Sequence, residues 1–87
     1  MNTNATHKYN VGLNNQRSFM LAQLLFNDNL NTFEFRQMGI AHPSQRIHEL
    51  RRYYDIESVI EIYVDWLGDV HIGMARYYLR GIKDVYM

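Results

Sequence analysis

The chain has 87 residues, nine Lys and Arg balancing nine Asp and Glu, and no cysteine. That length supports one domain with one modest core. The missing thiols exclude disulfide scaffolds, thiolate metal sites and thiol catalysis, and they fit an intracellular, cytoplasmic setting. With 47% hydrophobic residues the chain is too apolar to be wholly disordered, yet no window nears the roughly 18 apolar residues of a membrane span.

Residues 1–14, MNTNATHKYNVGLN, read as a polar, flexible arm rather than a signal peptide. From Asn15 to Phe26 apolar residues recur at helical spacing, with Phe19, Ala22, Leu25 and Phe26 as the stripe and Leu21 and Leu24 widening it. Asn27-Asp28-Asn29 ends this helix, because short Asx side chains compete with the backbone. Thr32 suits the N-cap of a short second helix, Phe33 to Met38, which Gly39 closes. Its buried side is Phe33, Phe35 and Met38. Pro43 suits the first turn of a third helix running to about Tyr53, with Pro43, Ile47, Leu50 and Tyr54 inward. The connection Gly39-Ile40-Ala41-His42 has helix-turn-helix length. Beyond Tyr54 the period becomes two: Ile60, Ile62, Val64 and Trp66 alternate with Glu61, Tyr63 and Asp65. Leu67-Gly68-Asp69 reads as a turn, and Val70 to Leu79 as the returning strand. Its expected core face is Ala75, Tyr77 and Leu79, leaving Ile72, Met74 and Tyr78 on the other. Residues 81–87 read as a tail.

Charge is segregated along this order. Arg36, Arg46, Arg51 and Arg52 against Glu49 make residues 36–52 basic, whereas residues 53–75 hold Asp55, Glu57, Glu61, Asp65 and Asp69 with no Lys or Arg. A basic helix followed by an acidic hairpin is a statement about local field.

The order of elements, three helices and then a two-stranded hairpin, is that of an α+β winged helix-turn-helix domain over residues 15–80. The run Arg46-Ile47-His48-Glu49-Leu50-Arg51, placed after Thr32 and Gly39-Ile40 and before Ala75-Arg76-Tyr77 with Leu79, resembles a family of small winged helix-turn-helix proteins of phages, prophages and mobile elements. The resemblance covers residues 14–80. It implies double-stranded DNA binding by a regulator or recombination accessory factor in a bacterial host cell, with the third helix in the major groove. The chain departs from the family at the wing tip, where Trp66-Leu67-Gly68-Asp69-Val70 carries no basic residue.

On that reading Ser44, Gln45, His48 and Arg52 meet bases, while Arg17, Arg36, Arg46 and Arg51 meet phosphates. The plainer alternative is a solvated helix face, with Arg46 or Arg52 pairing with Glu49. Both faces of the second strand are apolar, so Val59, Tyr63, Ile72, Met74 and Tyr78 are candidates for a homodimer or partner interface. A rival reading, an inhibitor or adaptor such as an anti-CRISPR or polymerase-binding protein, uses the same scaffold. It would present Glu57, Glu61, Asp65 and Asp69 to a basic surface of a host protein. The four histidines lack metal-ligand spacing, and no nucleotide-binding or nucleophile motif is present. An enzyme, a cofactor and a small-molecule substrate are therefore not expected.

Overall fold

A computed structural model describes residues 13–83, with side chains from Asn15 onward. The order is α1 (Leu13–Asn27), β1 (Asn29–Asn31), α2 (Thr32–Gln37), α3 (Pro43–Leu50), β2 (Tyr54–Val64) and β3 (Val70–Ile82). The described residues form an α+β arrangement of three helices and one antiparallel three-stranded sheet, in the order β1-β3-β2. The expected two-stranded hairpin is present, but β1 pairs with its inner strand, Leu30 opposite Tyr77 and Asn31 opposite Arg76. Asn29 begins that strand rather than ending a turn. Asp28 makes the corner with a φ of 75°, which Asp tolerates better than most residues. Most of the expected arm lies outside the described residues, as do residues 84–87. Gly81 and Ile82 belong to β3, not to a tail.

The core joins one side of the sheet to the helices. Met20 and Leu24 of α1, Phe35, Ile40, Ile47 and Leu50 pack with Leu30, Ile56 and Tyr77 of the three strands. The expected stripe of α1 holds only at its widened part: Leu24 is buried and Leu21 packs against the core, joined by the unexpected Met20, whereas Phe19, Leu25 and Phe26 are exposed. Apolar residues surround this helix, so spacing alone does not select the buried stripe. In α2 Phe35 is buried and Phe33 half-buried, but Met38 is exposed. The stripe of α3 holds at Pro43, Ile47 and Leu50, and adds Arg46.

Caps and clamps fix the joints. Asn31, not Thr32, caps α2: its Oδ1 accepts from Glu34 N at 2.7 Å while Glu34 Oε1 accepts from Asn31 N at 2.8 Å. Thr32 instead donates to the Ala75 carbonyl and meets Tyr77 Oη, tying α2 to β3. The third helix stops at Leu50, short of Tyr53, where Arg51 donates from Nε to the Ile56 carbonyl at 2.9 Å and from Nη2 to Ser58 Oγ at 3.1 Å.

Two register shifts shape the hairpin, between Asp55 and Ile56 and between Glu61 and Tyr63. In the second, Ile72 and Gly73 together oppose Ile62, and Gly73 has a φ of 74°. Such a bulge inverts the alternation of the strand beyond it. Ile72 therefore shares a face with Val70, Ala75 and Tyr77, not with Met74 and Tyr78 as expected. The expected interface set divides: Val59, Tyr63, Met74 and Tyr78 share one face, and Ile72 lies on the other.

Candidate nucleic-acid interface

The outer side of α3 begins with the burial of its inner side. With Pro43, Ile47 and Leu50 in the core, Ser44, Gln45 and His48 are left exposed along one side, and Arg52 follows in the turn beyond. All four expected base-contacting residues thus stand together at a protein–water boundary. Gln45 makes one long contact, Nε2 to Glu49 Oε2 at 3.4 Å. The Arg52 guanidinium lies over the Tyr53 ring, 5.7 Å from its centroid. Arg17, Glu49, Arg52 and Tyr53 line a shallow depression between α1 and the end of α3. The sequence does not mark Tyr53, because helical periodicity runs on to it.

The expected phosphate set does not form a row of open cations. Arg36 is exposed in the last turn of α2, with no ion pair among the described residues. Arg17 donates to Glu49 Oε1 at 2.6 Å. Arg46 is only 8% exposed and donates from Nη2 to Glu49 Oε2 at 3.0 Å. Its Nε also lies 3.0 Å from Oε1, but the N–H is not aimed there and has no hydrogen-bond partner. Arg51 is the clamp described above. Arg46 and Arg51 are thus engaged within the fold, by Glu49 and by the start of β2 respectively. Glu49 is held below the ordinary carboxylate range, first by the hydrogen bond from Arg17, then by Gln45 and the Arg46 charge, with desolvation opposing.

The acidic hairpin is also compensated. Cross-strand diagonals pair Glu57 with Arg80 at 2.8 Å and Glu61 with Arg76 at 2.9 Å, and Asp65, just beyond β2, is hydrogen-bonded to His71 at 2.9 Å. Segment charge taken along the chain hides this, because the bases stand later in sequence and opposite in space. Three of the four carboxylates expected to be available to a host protein are thus engaged, and Asp69 is exposed in the turn. Arg76 also reaches Asn29 Oδ1 at 2.8 Å and Glu34 Oε1 at 3.2 Å.

Among the described residues no group of His, Asp and Glu is arranged to hold a metal, and no helix is long and apolar enough to cross a membrane. Comparison with models of known families, with curated proteins and with solved structures gives no match.

Proposed function

We propose that the chain is a winged helix-turn-helix protein, of the kind carried by phages and mobile elements, that binds double-stranded DNA through α3. The observation that carries this reading is the exposed row Ser44, Gln45 and His48 on a helix whose opposite side is core, continued by Arg52 in the turn beyond. A helix of this width fits the major groove, where Arg pairs with guanine, Gln with adenine, and Ser with either donors or acceptors. The short link from α2 to α3, and the hairpin that follows, support it as a helix-turn-helix with a wing. The ion pairing of Glu57 and Glu61 with Arg80 and Arg76 supports it too, since the hairpin then opposes a phosphate track less than five bare carboxylates would.

Affinity for duplex DNA, measured between about 50 and 200 mM salt, tests the reading. Binding is expected to weaken with salt. Arg36→Ala, at an expected phosphate contact, is expected to reduce the salt slope by about one, whereas Arg52→Ala, at an expected base contact, is expected to relax preference at one base position. Gln45→Ala is expected to relax preference at one base position by about 1–3 kcal/mol while leaving the slope unchanged. No binding at the lowest salt, or base preferences indifferent to both Gln45 and Arg52, removes α3 from a DNA interface.

A further inference from the structure

The side of the hairpin opposite the charge ladder is covered for only part of its length. At the base, Ile56 and Tyr77 are buried against the helices. Farther out, the register puts Ile60, Ile62 and Val64 of β2 on the same face as Val70 and Ile72 of β3. These five are 67%, 67%, 56%, 60% and 80% exposed, and none carries a polar atom on its side chain.

We propose that this face seats a second copy of the chain, the two hairpins stacking face to face about a two-fold axis. Three observations select that occupant. The strip is wholly aliphatic, so it offers nothing to a nucleic acid or a charged peptide. The reverse face carries the Glu57–Arg80 and Glu61–Arg76 ion pairs within each hairpin, so a second copy brings paired rather than bare glutamates with it. The third is area. The five side chains leave on the order of 600 Å² per copy in water, so a pair that covers them completely buries at most about 1,200 Å² through them, the lower bound for a stable specific interface. A self-complementary patch of this kind closes as a two-fold dimer, the commonest symmetry. Pairing through the open edge of β2 would leave the strip in water, whereas stacking at the usual sheet separation of about 10 Å removes it. This proposal does not depend on the DNA reading.

Sedimentation equilibrium of the full chain from about 1 to about 100 μM is the test, alongside Ile62→Lys, Ile72→Lys and Val59→Lys, with far-UV circular dichroism on each. The expected species has twice the 10.4 kDa chain mass. Ile62→Lys and Ile72→Lys are each expected to weaken it by about thirtyfold or more, and Val59→Lys, on the ladder face, to leave it unchanged. Ile72→Thr keeps the β-branch and is expected to weaken association in the same direction, so the conclusion does not rest on a lysine variant that unfolds. A monomer at every concentration overturns the proposal. So does a dimer indifferent to both Ile72 variants, which would point to the β2 edge, or one that a folded Val59→Lys disrupts equally.

Discussion

Arg51 binds the Ile56 carbonyl and Ser58 Oγ, whereas Arg52, one position later, lies open to solvent over Tyr53. Arg51→Ala is therefore expected to lower the unfolding free energy by about 1–2 kcal/mol, and Arg52→Ala to change it by no more than about 0.5 kcal/mol. Urea denaturation of the two variants checks the contrast. Sequence spacing treats these arginines alike, because the acceptors of Arg51 belong to a strand whose position only the tertiary fold defines. Asp65 makes a different demand. Its Oδ1 accepts from Leu67 N and Asp69 N, and Oδ2 faces His71 Nε2, each at 2.9 Å. The carboxyl is held below its ordinary value, chiefly by the His71 hydrogen bond and further by the two backbone N–H groups, with burial opposing. A depressed folded value stabilises fully above the unfolded value, about 4, and that contribution is lost as pH falls through the folded value. Asp65→Asn keeps the Oδ1 acceptor but does not titrate. Its urea stability is expected to fall less steeply with acid below about pH 4 than that of the wild type.

At the scale of elements, the β3 bulge decides which side chains share a face. Gly73 has a φ of 74°, where an added Cβ meets no neighbouring atom but the backbone itself is strained for an L-residue. Gly73→Ala is expected to destabilise by about 1–2 kcal/mol. Gly81→Ala, without positive φ and with equal room, is expected to stay within about 0.5 kcal/mol; thermal or urea unfolding separates them. This bulge also marks where the sequence stops being readable. The hairpin, the inner stripe of α3 and the exposure of Ser44, Gln45, His48 and Arg52 all follow from periodicity. The faces of the hairpin do not, because alternation runs unbroken through Ile72, Gly73 and Met74 on paper. Nor does β1: three residues, two of them Asn, have little β-propensity, and the strand exists because Leu30 packs beside Tyr77. The phase of α1 is equally hidden, since Phe19, Leu25 and Phe26 are as apolar as the Met20 and Leu24 that the core takes.

Across the whole molecule, Arg76 joins what would otherwise be separate pieces. From β3 it contacts Glu61 of β2, Asn29 of β1 and Glu34 of α2, and the hydrogen bond it donates to Glu61 leads the causes that raise its pKa. Arg76→Met leaves Glu34 and Glu61 without their shared cation. It is expected to lower the unfolding free energy by about 2–3 kcal/mol. Adding Glu61→Gln is expected to recover part of that loss, a coupling read from a double-mutant cycle. The central place of β3 has a consequence during synthesis on the ribosome. Every helix, β1 and β2 emerge before it, yet Leu30 has no strand to lie against until Tyr77 arrives, and β2 has no hydrogen-bonded neighbour until the turn reverses. The nascent chain therefore holds its aliphatic residues in an unfinished state until nearly all of the described domain has been made. Folding then closes in one late step, set by contacts distant in sequence.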